Sequence, residues 1–263
     1  MGNMSQPRAI VLKAAGINCD QESKAACEKV GFRADVVHVN RLIENKKLVH
    51  EYQFLIVPGG FSFGDDLGAG KVLANELQSK LIPEFREFIK AGKLMLGICN
   101  GFQILTKAGI LPEPMNGSTA QATLGNNDSG KFEARWIRLK VSSLKSEFLK
   151  EEEVIELPIA HGEGKFLPSD AQSMKRWEQG GQLVLKYVDP EGRDAGYPWN
   201  PNGSTSGVAG ICDPTGRVLG LMPHPERFQD ATNHPQWTRR GADVRPDGLK
   251  FFQNAFEYVK RNL

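Results

Sequence analysis

Three apolar residues, Leu94, Met95 and Leu96, run directly into Gly97-Ile98-Cys99-Asn100-Gly101, and a helical pattern continues to Gly109. A short run with no polar residue suits a parallel strand buried on both faces. Glycine two places to either side of one reactive residue marks a sharp strand-to-helix turn, the cysteine form of the G-x-S-x-G elbow. The central residue of such a turn is forced into a strained backbone conformation. Its flanking glycines approach other backbone so closely that side chains there would clash. The geometry lifts the Cys99 sulfur to the carboxyl edge of a sheet, over a helix N-terminus whose dipole favours thiolate. Free cysteine titrates at about 8.5, so a lowered value gives more nucleophile at neutral pH.

The elbow requires a sheet, and the rest of the first half supplies one. Residues 9–12 read as a strand, and Asp20 stands as the N-cap of a helix to Val30, with Gly31 placed to end it. Residues 34–37 and Phe54–Val57 read as two more strands, the second stopped by Pro58-Gly59-Gly60. Helices are expected over 69–77 and 83–91, with Gly92 closing the latter. This β-α-β-α rhythm predicts an α/β, flavodoxin-like fold: a doubly wound, mostly parallel sheet flanked by helices. Additional antiparallel strands are expected later. Residues 131–141 alternate apolar and charged, and strands are read over 154–160, Leu183–Val188, 208–211 and Val218–Leu221. Asp213-Pro214-Thr215-Gly216 has turn chemistry, so the last two should form a hairpin. Apolar residues at helical spacing over 249–259 predict a closing amphipathic helix. Loops 192–207 and 230–247 are long enough to be functional or interfacial. Residues 1–263 are read as a single domain, and Met4 as a candidate natural start behind Met1–Asn3.

Composition excludes several classes. A net charge of +2 gives no footing for nucleic-acid or anionic-membrane binding. No apolar run approaches the length of a membrane span, and no signal-peptide stretch precedes the first strand. The four cysteines (Cys19, Cys27, Cys99, Cys212) show no CxxC pair, which argues against a disulfide framework or a zinc cluster. A cytoplasmic protein with a usable thiol is the expectation.

A thiol nucleophile needs a base, and the base an orienting group. Of five histidines, His38 ends a strand, His50 lies in a polar helical stretch, and His234 sits in a loop without a carboxylate pattern. His224 follows a strand in Met222-Pro223-His224-Pro225-Glu226. The flanking prolines restrict the backbone there, and Glu226 can point the same way as His224. The order Cys99, His224, Glu226 is thus the candidate catalytic set. His161, in Ala160-His161-Gly162-Glu163-Gly164, is the rival base and is expected to line the site. Gly125–Lys131 matches most of a phosphate-binding loop, but Phe132 replaces the required hydroxyl residue and a strand follows. There is no G-x-G-x-x-G after a strand, no HExxH and no EF-hand loop. No metal or nucleotide site is expected on this chain.

The segments GICNGFQ, VPGGFSFGD, AHGEGKF, NPNGS and MPHPER resemble, in order and spacing, the glutaminase subunits of phosphoribosylformylglycinamidine synthase. These are class I, triad-type glutamine amidotransferases of purine biosynthesis. The resemblance covers nearly the whole chain. It implies that Cys99 forms a glutamyl thioester with His224 as base and Glu226 as orienter. It also implies that the N–H groups of Gly60 and Asn100 form the oxyanion hole and that Gln103 contacts the substrate, L-glutamine. The product ammonia would pass to a separate synthetase subunit carrying ATP and Mg, usually with a small accessory subunit, and weak activity is expected without that partner. Residues 192–201 and 228–246 look longer than a minimal member of the family. Three alternatives remain: the glutaminase subunit of another amidotransferase, an elbow-cysteine hydrolase or glyoxalase-like protein, and a non-enzymatic regulatory subunit. Retention of Cys99, His224 and Glu226 together weighs against the last two.

Overall fold

The computed structural model describes residues 6–114 and 121–263; the candidate start at Met4 lies outside them. The first half alternates as the sequence predicts, with one short helix between the second and third strands that the sequence reading did not include. Strand β1 is Arg8–Lys13, helix α1 Asp20–Val30, β2 Arg33–His38, α2 Val39–Glu44, β3 Phe54–Val57, α3 Lys71–Lys80 and α4 Ile82–Lys90. Strand β4 is Leu94–Ile98 and α5 is Asn100–Lys107. The second half brings β5 Ala122–Gly125, β6 Glu133–Val141, β7 Val154–His161, β8 Lys165–Pro168, α6 Ala171–Gln179 and β9 Leu183–Val188. It closes with β10 Val208–Cys212, β11 Val218–Leu221, the short α7 Trp237–Arg240 and α8 Asp247–Asn262.

Nine strands form one sheet in the order β2-β1-β3-β4-β11-β10-β9-β6-β7. The five from β2 to β11 are mutually parallel, and from β11 onward each neighbour is antiparallel. The β10–β11 hairpin therefore forms as its turn residues predict, and it converts the parallel half into the antiparallel half. Strands β3 and β4 are fully buried, whereas β7, at the edge, alternates buried and half-exposed residues. That contrast is the sequence difference between a run without polar residues and an alternating one. Helices α1 and α8 pack on each other, as do α3 and α5, with α5 lying along β4 and β3. Among the described residues no helix is long and apolar enough to cross a membrane.

Several local expectations shift. Cys19, not Asp20, is the N-cap residue of α1; the Asp20 carboxylate instead accepts from Lys13 Nζ at 2.7 Å. Gly31 does end the helix, at φ 113°, and a Cβ there would stand 2.8 Å from the Phe256 ring. The small β5–β8 sheet and α6 were not legible in the sequence. Strands β5 and β8 are four residues each, too short for an alternation to stand out. Helix α6 begins at an Asp170 cap, whose carboxylate accepts from Ser173 N at 2.7 Å, and buries little besides Met174 and Trp177. The segment read as loop 230–247 holds α7 between two short 3₁₀ turns.

The topology decides where the site falls. β1, β3, β4 and β11 are parallel, so the segments after Lys13, Val57, Ile98 and Leu221 all leave from one edge. Following the alternation outward, β7 runs in the same sense as β11, so Ala160 and His161 reach that edge too.

Candidate active site

Cys99 sits where β4 ends and α5 begins, with φ 51° and ψ −106°. A positive φ in a non-glycine residue is the strain that an elbow demands. The flanking glycines are explained by contact. A Cβ on Gly97 would meet the Gly101 carbonyl carbon at 2.9 Å, and one on Gly101 would run into the Val57 carbonyl. The thiol is buried, and its Sγ donates to the Ala160 carbonyl at 3.7 Å. Asn100 is the first residue of α5, so its main-chain N–H has no partner within the helix. Its side chain ties the elbow to the loop after β3, accepting from Ser62 N at 3.1 Å and donating to Asp65 Oδ1 at 3.2 Å.

That loop is VPGGFSFGD, and it is kept in unusual backbone conformations: Gly60 at φ 143°, Phe63 at 53°, Gly64 at 71° and Asp65 at 55°. Both of its paired glycines are required. A Cβ on Gly59 would stand 2.8 Å from the His224 ring, and one on Gly60 would stand 2.7 Å from the Gly16 carbonyl oxygen. Burial raises the Asp65 carboxyl, against the lowering effect of the Gly70 and Asn100 hydrogen bonds.

His224 enters from the end of β11. Its main-chain N–H donates to Pro158 O at 2.9 Å, and its Nδ1 pairs with Glu226 Oε1 at 2.6 Å. Both side chains are essentially inaccessible. Burial works against a charged imidazole here. The Glu226 carboxylate and the Cys99 sulfur outweigh it, and the His224 pKa is held well above the ordinary histidine value. Its Nε2 and Glu226 Oε2 are buried without a hydrogen-bond partner. Cys99, His224, Gly60 and Ala160, with Asn18, Phe61, Phe132 and Arg227, line one cavity of about 160 Å³. The structure thus joins Cys99, His224, Glu226 and Gly60 at one place, across more than 160 residues of chain.

Gln103 and His161 lie next to this cavity but do not line it. The Gln103 amide is buried, receiving Asn100 Nδ2 at 2.9 Å and donating to the Glu163 carbonyl, so it braces the loop after β7 and is not among the residues lining this cavity. His161 is buried beside the site, Nδ1 against Asn127 Oδ1 at 3.1 Å, with Nε2 unpartnered. Burial, assisted by the charge of His224, lowers its pKa to about 4. A lowered His161 next to a raised His224 separates the two candidate bases: His224 Nδ1 is hydrogen-bonded to the Glu226 carboxylate, whereas Glu133, opposite His161 in β6, acts on it through charge alone and does not offset its burial. His234 corrects an expectation. It faces Glu156, Nε2 to Oε2 at 3.6 Å, a carboxylate from the distant strand β7, and packs against Trp136.

The remaining motifs form a buried scaffold that reading them singly could not reveal. Asn202 donates to the Gly164 carbonyl at 2.8 Å, Ser204 Oγ accepts from Phe166 N at 2.9 Å, and Asn127 Oδ1 accepts from Gly164 N at 3.1 Å. NPNGS and the loop that mimics a phosphate-binding motif are therefore clamps on AHGEGKF. In turn, the Glu163 carboxylate accepts from Ala69 N at 3.2 Å.

A strained thiol elbow facing a buried histidine–carboxylate pair, on this sheet, is the arrangement of a triad-type glutamine amidotransferase. The family described as the CobB/CobQ-like glutamine amidotransferase domain matches residues 6–259, and the chain belongs to it. Within it, the chain belongs with the glutaminase subunits of phosphoribosylformylglycinamidine synthase. The phosphoribosylformylglycinamidine synthase subunit PurQ of Dehalococcoides mccartyi is 43% identical over 260 residues, 98% of this chain and 100% of that one. The PurQ subunit of Methanococcus maripaludis is 40% identical over 269 residues, 97% of this chain and 98% of its own. Among solved structures, the one titled PurLQS from Thermotoga maritima is similar with TM-score 0.73 and 33% identity, covering 97% of this chain and 99% of that one.

Proposed function

We propose that this chain hydrolyses the side-chain amide of L-glutamine and delivers the ammonia to a synthetase subunit that makes formylglycinamidine ribonucleotide in purine biosynthesis. The observation that carries the chemistry is Cys99 at φ 51° on a cavity shared with His224, whose other ring nitrogen is 2.6 Å from buried Glu226.

Cys99 Sγ attacks the amide carbon while its proton passes to His224 Nε2. Glu226 holds the proton on Nδ1 and stabilises the imidazolium. The oxyanion of the tetrahedral intermediate falls to the N–H groups of Gly60 and Asn100, held in place by the backbone of two separate elements. As the C–N bond breaks, His224 returns the proton to nitrogen and ammonia leaves a glutamyl thioester. A water deprotonated by His224 then attacks the thioester, and glutamate departs. No step asks for a cofactor. In the structure the Cys99 thiol donates to Ala160 O at 3.7 Å while its sulfur lies close enough to His224 to raise the imidazole, so proton transfer asks only that the S–H turn from one acceptor to the other. Gln103, proposed to contact the glutamine substrate, also fixes the Glu163 loop against the elbow helix, and His161 is proposed to stand at the edge of the substrate site.

The partner is supported by the PurLQS title and by the PurQ name of the relatives. The test is glutamate release from glutamine with and without that synthetase subunit, for the intact chain and for Cys99→Ala. No release by the intact complex would sink the assignment, and activity retained by Cys99→Ala would remove the nucleophile. Ammonia-driven synthesis in the complex should survive Cys99→Ala, because the partner then needs only the nitrogen.

A further inference from the structure

A fourth buried side chain stands against the catalytic pair, and the hydrolysis derived above has no use for it. Cys19 caps α1 on the loop after β1, and its Sγ, one ring nitrogen of His224 and one carboxylate oxygen of Glu226 all lie within 4.8 Å of one another. Gly59 makes this approach possible: a Cβ there would stand 3.3 Å from Cys19 Sγ and 2.8 Å from His224 Cε1. Two polar atoms of the pair, His224 Nε2 and Glu226 Oε2, are buried and unpartnered. Arg227 Nη2 donates to Cys19 Sγ at 3.1 Å, and the thiol itself meets Asn18 Oδ1 at 3.2 Å.

One thiolate, one imidazole and one carboxylate are the ligands of a borderline-soft divalent cation, and zinc accepts all three at about 2.0–2.3 Å. Tetrahedral bonds of that length hold donors about 3.5 Å apart, so the three donors, now within 4.8 Å of one another, must shift to that spacing, and the 2.6 Å contact between His224 Nδ1 and Glu226 Oε1 must open to admit the ion. The Arg227 contact uses one lone pair of the sulfur and leaves another for a metal. We propose that the catalytic pocket doubles as an inhibitory zinc site, in which Cys19 is the ligand that hydrolysis does not need. Occupancy displaces the thiol proton of Cys19 to solvent and takes His224 and Glu226 away from proton transfer. The inference rests on the catalytic reading of His224 and Glu226. Cys27 and Cys212 do not compete, since burial pushes their thiols up, that of Cys212 to about 12.

The test uses Co²⁺ as a spectroscopic stand-in for Zn²⁺, titrated into the full chain and followed by its thiolate charge-transfer absorption. The intact chain and Cys99→Ala should both develop the band, and Cys19→Ala and Cys19→Ser should both lose it. Serine keeps the size and polarity of the site, so agreement between the two variants, with unchanged circular dichroism, separates ligand loss from misfolding. In parallel, the Zn²⁺ concentration that halves glutaminase activity in the complex should rise more than about tenfold in Cys19→Ser. No band in the intact chain overturns the proposal. So does a band that persists without Cys19, because another thiol would then hold the metal. If the intact complex releases no glutamate at all, the functional reading fails while the Co²⁺ spectrum still decides the metal site.

Discussion

An alanine at position 101 would place its Cβ 1.8 Å from the Val57 carbonyl oxygen, where real Cβ atoms essentially never come closer than 3.0 Å. The start of α5 and the end of β3 would therefore have to part by at least about 1.2 Å, and neither can yield freely. Val57 lies in a fully buried strand paired with β1 and β4, and α5 is buried over seven of its eight residues. Overpacking of this kind costs about 1–3 kcal/mol, which for a chain of this size lowers Tm by about 2–12 °C. The same displacement acts on Cys99 two residues away and on the Asn100 N–H. A misplacement of about 1 Å at a reacting group costs about 10²-fold in rate. The opposite expectation is equally definite: glycine to alanine in a helix without a steric conflict gains about 1 kcal/mol. Thermal unfolding of Gly101→Ala and its kcat for glutamine hydrolysis in the complex decide between the two. A variant as stable as the parent, or more so, with full activity would refute the claim that these glycines exist to let the elbow approach β3.

Glu226→Gln should lower kcat by about 10²–10⁴-fold with little change in KM, since it leaves His224 without its charged partner. A burst of ammonia at the parent rate would exclude that role. The same variant should lose a stability term tied to His224. A histidine raised in the folded state contributes fully below about pH 6.5, its ordinary value, and the contribution fades as pH rises through the raised value; urea titrations across that range measure it. His161 works in the other direction. Its fall from 6.5 to about 4 means the unfolded chain binds a proton that the folded chain refuses, so stability drops by about 3 kcal/mol as pH falls between those values. Denaturation of His161→Asn at pH 7 and pH 4.5 should show a flatter dependence, and an unaltered slope would place the acid sensitivity on another group. Asn202→Ala should cost about 1–3 kcal/mol, since it removes the 2.8 Å donor to the buried Gly164 carbonyl and leaves it only the long 3.4 Å bond from Ser204 Oγ; a lower urea midpoint with the rest of the fold intact checks this.

The elbow was legible because its requirements are local. An apolar strand, two glycines and a helical pattern within a dozen residues leave little room for another structure, and φ 51° at Cys99 is the conformation they demand. The parallel half of the sheet was legible for the same reason, its strands being short, mostly apolar runs bounded by polar residues, glycine or proline. His224 and Glu226, two residues apart in a proline-flanked segment, are a weak pair by spacing alone and became legible only in combination with the elbow. What the sequence could not carry was anything decided by which strand edges meet. Cys19 lies 205 positions from His224, and only the parallel order of β1, β3, β4 and β11 brings their trailing loops to one edge. The carboxylate facing His234 comes from β7, far along the chain, so no reading of its neighbours could find it. Short elements such as β5, β8 and α6 escaped because their stability comes from what they cover, not from their own periodicity. Local sterics wrote the nucleophile into the sequence, and long-range strand pairing decided which side chains surround it.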